Sequence, residues 1–174
     1  QKRVYGKIFE PLFLWGRSPR LLRNFLSFYK AVDRKSSPIE ESLRSLICVR
    51  VSQINDCPFC IDLNSAISQK RGVTMEKLLD LPNFSQSRQY TEREQMALTY
   101  ASAMTDSNTR VNDQMFLELR KYFNDDEIIE LSALIAFQNL SSKFNTALGT
   151  TSAGVCIMPE NFSKPDLKCK EDPG

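Results

Sequence analysis

The chain has 174 residues and no histidine among them. That absence removes Ser-His-Asp and Cys-His catalytic arrangements, histidine-based zinc and haem ligation, and the usual general base near neutral pH. Glycine and proline are sparse at 6 and 8 residues, which excludes collagen-like and linker-like chains. No run approaches the roughly 18 apolar residues of a membrane span, so no membrane insertion is expected. Neither sign of charge dominates: 23 Lys+Arg stand against 21 Asp+Glu, a balance unlike that of a dedicated nucleic-acid binder. No secretory leader is visible, and the expected location is cytoplasmic.

What is present is the composition of a globular domain, 41% hydrophobic and 25% charged. A chain of this length buries a core without disulfide or metal staples. The expected organisation is one domain over 1–158 and a loose, polar tail over 159–174. Charge is uneven within it. Residues 1–35 carry nine basic and two acidic side chains, which leaves the remainder net acidic. The basic amphipathic stretch Arg20–Val32 reads first as the solvated face of an ordinary helix.

Helix signals punctuate the whole sequence. Ser18-Pro19 precedes Leu21, Leu22, Phe25, Leu26 and Tyr29, spaced by threes and fours. Ser37-Pro38-Ile39-Glu40 has the form of a capping box and predicts a helix to about Ile54. Cys57-Pro58 predicts the next start, and Gly72 its end. A short helix over Met75–Leu79 is expected to stop before Leu81-Pro82. Thr91-Glu92-Arg93-Glu94 is a second capping box, opening a helix to about Met104. Further helices are expected over Asp113–Tyr122 and from Asn124-Asp125-Asp126-Glu127 onward, where acids suit the first turn. Ile128–Leu148 is apolar on nearly every face, which predicts the central buried helix. No segment alternates with period two, so the fold class is all-α, with about seven or eight helices.

The five cysteines are too few and too odd in number for a closed disulfide framework. Cys48 lies inside a predicted helix and reads as a small buried hydrophobe. Cys156 and Cys169 sit near the end of the chain, where they either pair with each other or do nothing. Cys57-Pro58-Phe59-Cys60 differs. Its spacing puts both sulfurs on one face of a first helical turn, where the helix N-terminus favours a thiolate, the nucleophilic form. Zinc would need two further ligands that the chain does not supply in a suitable spacing, so no metal is expected. A purely structural pair is the alternative. A thioredoxin fold is excluded, because nothing reads as a βαβ unit.

The segment from Arg50 to Ala66, with Cys57-Pro58-Phe59-Cys60 at its centre, is followed by Arg71-Gly72-Val73. It resembles the AhpD-like alkylhydroperoxidases of the carboxymuconolactone decarboxylase family. The order of the later helices over Thr91–Met104, Val111–Phe123 and Asp126–Leu148 is similar too. The resemblance covers roughly residues 20–150. It implies an AhpD-like, usually oligomeric helical fold. It also implies a pair that cycles between dithiol and disulfide in antioxidant defence, reducing hydroperoxides or protein disulfides with a peroxiredoxin or reductase as electron-transfer partner, and with no metal or organic cofactor. Carried over, Cys60 attacks the peroxide and Cys57 resolves the sulfenic acid, although position alone would favour Cys57 as the more acidic thiol.

The chain departs from the family pattern at the proton relay. The position four residues after the second cysteine, a histidine in the family, is Asn64. The position twelve before the first cysteine, often glutamate, is Ser45. The residue before the second cysteine, a further histidine in some members, is Phe59. Asn and Ser hydrogen-bond a thiolate but are not bases near pH 7, so weak activity is expected. Arg50 falls on the otherwise apolar Leu43–Ile47–Ile54 face. It reads either as an ion-pair partner of Glu127 or Glu130 or as a cation that lowers a cysteine pKa. Two other functional classes stand beside the redox reading. One is a non-catalytic oligomeric binding module with a vestigial cysteine pair. The other is a lactone-processing decarboxylase, disfavoured by the redox cysteines and the missing histidine. An apolar amino-terminal segment (Phe9, Leu12, Phe13, Leu14, Trp15) and the apolar last helix point to homo-oligomers.

Overall fold

The computed structural model describes residues 1–2 and 6–156. Cys169 and the tail expected over 159–174 lie outside them. Among the described residues the regular structure is entirely helical. Two helices cover the amino-terminal region, α1 (Glu10–Gly16) and α2 (Pro19–Val32). They are followed by α3 (Glu41–Ile54), α4 (Pro58–Lys70), α5 (Met75–Leu79) and a 3-10 turn over Leu81–Asn83. The chain continues through α6 (Glu92–Thr105), α7 (Asp113–Leu119) and α8 (Asp125–Ala147).

Most starts are set by local chemistry. Ser18, Thr74 and Asn112 each accept a hydrogen bond from a backbone N–H of the first turn that has no partner within the helix. Thr91 with Glu94, and Asn124 with Glu127, form complete capping boxes. The box expected at Ser37–Glu40 does not form. The helix begins at Glu41, Glu40 makes no side-chain cap, and Ser37 Oγ accepts from Ile39 N at 3.3 Å. Tertiary demands explain the difference: Ile39 is drawn into the core, its carbonyl accepts from Arg44, and the Glu40 carboxylate faces Arg93 at 3.5 Å.

The central element is α3, packed by α4, α6 and α8. Its Leu46, Ile47, Val49 and Val51 meet Leu98 and Ala101 of α6 and Leu131 and Ile135 of α8 in the main core. The expectation of a central buried helix over Ile128–Leu148 holds only in part, since α8 packs on α2, α3, α4 and α6 but is not covered on every face. One edge of α8 is open, with Ile129 66% exposed and Leu140 also exposed.

A buried ion cluster ties α2, α3 and α4 together. The Asp33 carboxylate accepts from Arg44 Nε at 3.1 Å and from Arg71 at 2.7 and 3.0 Å. Burial works to raise the Asp33 pKa, but the hydrogen bonds and charges of Arg71 and Arg44 outweigh it and hold the carboxyl below its usual range.

Candidate active site

The site starts from a tight reversal between α3 and α4. Asp56 sits at φ 47°, a left-handed conformation that Asp tolerates better than most residues. Cys57 N then donates to Ser52 O at 3.1 Å. Cys57 is the N-cap of α4: its Sγ accepts from Cys60 N at 3.3 Å, with Pro58 in the first helical position. The two cysteines form a disulfide, with Cα atoms 5.3 Å apart. Both are enclosed, Cys57 at 0% and Cys60 at 3% exposure.

Segments from both ends of the chain cover the pair. Phe9, Phe59, Leu63, Ala153 and Val155 pack around it, and the Phe9 and Phe59 rings meet edge-on at 5.6 Å. The covering segment after α8 is held by the buried Asp62 of α4. Its carboxylate accepts from Ser152 Oγ at 2.8 Å, Val155 N at 3.1 Å and Cys156 N at 2.6 Å. Lys7 Nζ donates to Ala153 O at 2.5 Å.

Beside the disulfide, α1, α2, α4 and α8 enclose a cavity of about 230 Å³. Its walls are apolar and largely aromatic: Phe9, Leu12, Trp15, Phe25, Phe137 and their neighbours. The Trp15 ring stacks on Phe25 at 4.4 Å and on Phe144 at 3.8 Å. Asn64, Gln138, Ser141 and Asn145 supply polar atoms, and no Asp, Glu, Lys or Arg lines the space. Cys60 lines it and Cys57 does not. Asn145 Nδ2 donates to Cys60 Sγ at 3.3 Å. Next to them, Asn64 Nδ2 and Gln138 Nε2 both donate to Ser52 Oγ, at 3.2 and 3.0 Å, and Gln138 also reaches Ser142. The polar end of the cavity is thus made of neutral amides and hydroxyls, of which Asn145 contacts the Cys60 sulfur.

Of the residues singled out in the sequence, Cys57, Cys60 and Asn64 come together here. Ser45 belongs to the ion cluster: it accepts from Arg71 at 3.0 Å and donates to Glu41 O at 2.9 Å. Arg50 faces α6, with Nε donating to Ser102 Oγ at 3.1 Å and its guanidinium 5.5 Å from the Phe84 ring centroid. Burial lowers its pKa. The acids considered as its partners pair elsewhere, Glu127 with Arg93 and Glu130 with Arg34. Cys48 packs against the core, and burial, with Asp33 adding to it, pushes its thiol up to about 12. Cys156 Sγ lies 3.6 Å from Gln69 Oε1, and burial with the nearby Asp62 raises its thiol pKa.

Sequence reasoning missed Asn145, Gln138 and Asp62, and it read Trp15 as part of an oligomer contact, not as a cavity wall. A signal existed for two of them. Gln138, Ser141, Ser142 and Asn145 recur along the helix at spacings of three and four, which places them on one stripe. No group of three or more His, Cys, Asp or Glu side chains able to hold a metal occurs among the described residues. No described helix is long and apolar enough to cross a membrane.

The family model for carboxymuconolactone decarboxylases matches residues 19–103. YnjA of Escherichia coli (strain K12), itself uncharacterized, is 35% identical over 93% of this chain and 89% of its own length. The apo structure of the debrominase Bmp8 superposes with a TM-score of 0.79 at 25% identity, covering 88% of this chain and 82% of that one. A similar backbone occurs in an uncharacterized peroxidase-related protein from Ralstonia eutropha JMP134, described as an alkylhydroperoxidase AhpD core. There the TM-score is 0.74 at 21% identity, over 93% of this chain and 83% of that one. With its helical fold and its Cys57–Cys60 pair, the chain belongs to the carboxymuconolactone decarboxylase family and has the AhpD-like fold.

Proposed function

We propose that this protein is a thiol-disulfide oxidoreductase that reduces organic hydroperoxides held in the cavity beside Cys60. The observation that carries this reading is the asymmetry of the pair: Cys60 lines an apolar cavity free of charged side chains, while Cys57 is sealed behind it. The Cys60 thiolate attacks the terminal peroxide oxygen. An S–O bond forms, the O–O bond breaks, and the leaving alkoxide takes up a proton to become the alcohol. The Cys57 thiol then displaces water from the Cys60 sulfenic acid, which restores the disulfide. A dithiol donor returns the two electrons, a role suited to a peroxiredoxin or a reductase, and the protein works as a homo-oligomer.

With no histidine available, thiolate formation rests on the α4 N-terminus and the neighbouring amides. Such a terminus is worth about 0.3–1 kcal/mol when exposed and ~2 kcal/mol when partly buried. Burial of Cys60 works against the thiolate, so turnover is slow at pH 7 and rises with pH. The test is consumption of cumene hydroperoxide by the dithiothreitol-reduced protein, with Cys57→Ser and Cys60→Ser as controls. The wild type should consume it over many turnovers and Cys60→Ser should not consume it, while Cys57→Ser should use about one equivalent as it accumulates a Cys60 sulfenic acid that dimedone traps. Consumption no faster than the buffer control would refute the reading.

A second reading is favoured by the flat aromatic walls and by the likeness to Bmp8, a variant of which has been crystallised in complex with 2,3,4-tribromopyrrole. Here the dithiol would reduce a halogenated ring. A carbon–halogen bond becomes carbon–hydrogen, halide leaves, and the disulfide forms. Bromide release from tribromopyrrole by the reduced protein separates the two readings.

A further inference from the structure

Two residues that line the cavity each carry a buried polar atom that no protein group satisfies. Asn145 is 1% exposed; its Nδ2 is engaged by Cys60 Sγ, yet its Oδ1 is buried without a hydrogen-bond partner. Trp15 Nε1 is buried without an acceptor as well. Both residues line the same space, and the Trp15 ring lies against Phe144, the residue beside Asn145. One atom is an acceptor lacking a donor and the other a donor lacking an acceptor. Native proteins rarely leave such atoms unmade, because each forfeits its hydration without replacement.

We infer that Asn145 and Trp15 are the substrate-positioning pair of the site, and that they select an uncharged molecule with an apolar body and one hydroxyl-type head. Such a head donates its hydrogen to Asn145 Oδ1 and accepts from Trp15 Nε1, while the body fills the aromatic space. This rests on the redox reading above for the identity of the head, which is the O–O–H group of an organic hydroperoxide. The same Asn145 amide that receives the hydroperoxyl hydrogen holds the Cys60 sulfur through Nδ2, which brings the terminal oxygen to the nucleophile. A thiolate is a stronger acceptor than a disulfide sulfur, so the Nδ2 contact also favours the reactive form. The absence of charged side chains from the lining disfavours fatty-acid and other anionic hydroperoxides, whose carboxylate would find no Lys or Arg to pair with. Hydrogen peroxide leaves the aromatic space empty and is a poor substrate.

The experiment separates recognition from chemistry. Cumyl alcohol, the redox-inert product of cumene hydroperoxide, is titrated into wild type, Trp15→Phe and Asn145→Asp by calorimetry. The chain has a single tryptophan, so wild-type fluorescence reports on the cavity directly. Peptide-resolved alkylation of Cys60 against pH is measured in parallel on the reduced proteins, and circular dichroism checks that each variant folds. The wild type should bind the alcohol saturably with a change in Trp15 fluorescence. Trp15→Phe keeps an aromatic ring and should bind three- to tenfold more weakly with an unchanged Cys60 pH profile. Asn145→Asp should weaken binding too, and should shift the alkylation profile upward by about one pH unit, tenfold less thiolate at pH 7. Binding and profile at wild-type levels in both folded variants would overturn the inference. Alcohol binding with the expected variant effects, but without hydroperoxide turnover in the wild type, would sink the peroxidase reading and leave the recognition pair standing.

Discussion

Replacing Asp62 should unfasten the cover over the cysteines without unfolding the bundle. The carboxylate receives Ser152 Oγ, Val155 N and Cys156 N, and through them it holds Ala153 and Val155 against Cys57 and Cys60. Hydrogen bonds to a charged group are worth about 1.5–3 kcal/mol each. Their plain sum overstates the effect, because Asp62 is itself desolvated and the released donors regain water. A net loss of about 2–4 kcal/mol remains, which raises the open population of residues 152–156 by roughly 30- to 1,000-fold. Global stability falls by no more than the free energy of docking this segment, since the rest of the fold does not need it to close. Asp62→Leu should therefore abolish amide-exchange protection at Val155 and Cys156 while leaving the α3 and α6 core amides protected. After reduction, Cys57 and Cys60 should alkylate faster in the same proportion. Asp62→Asn keeps one acceptor oxygen and should fall between. Unchanged protection at Val155 and Cys156 in Asp62→Leu would show that packing, not the carboxylate, holds the segment.

The Asp33 cluster makes stability sensitive to acid. Because Arg71 and Arg44 hold the folded carboxyl below its unfolded value of ~3.9, its contribution is present above that pH and is lost as pH falls through the lower, folded pKa. Urea midpoints should dip below about pH 4, and Asp33→Asn, which leaves the 2%-exposed Arg44 short of its partner, should cost about 3–5 kcal/mol at pH 7. Phe137→Ala should cost about 3–5 kcal/mol by urea unfolding, because its buried ring holds Phe25, Phe28 and Tyr29 of α2 against α8. Asp56→Val, a β-branched residue at φ 47°, should lose about 1–2 kcal/mol in the same assay and slow re-formation of the Cys57–Cys60 disulfide after reduction.

Much of the helical layout is legible residue by residue, because caps act over three or four positions. Thr91 with Glu94 and Asn124 with Glu127 need nothing beyond their own first turn. The same is true of Cys57-Pro58, and its spacing to Cys60 brings both sulfurs to one end of α4. Local signals fail where a distant group claims the same atom. Glu40 faces Arg93 and the Ile39 carbonyl accepts from Arg44, so the Ser37 box is never closed. Hydrophobicity alone also misjudged which helix lies in the middle. Both α3 and α8 are rich in apolar residues, but only packing decides that α3 is surrounded while Ile129 and Leu140 of α8 stay open.

The sequence by itself determined an all-helical fold, a Cys-x-x-Cys pair at a helix N-terminus, and the absence of a histidine base. Each of these is a property of residue type and short spacing. The tertiary structure alone decided which sulfur borders a cavity and that the cavity is aromatic and uncharged. It also decided that Asn145, 85 residues from Cys60 along the chain, is the amide facing that sulfur. Such contacts depend on how four helices and two chain-end segments close on one another, and no spacing within a single helix encodes that closure.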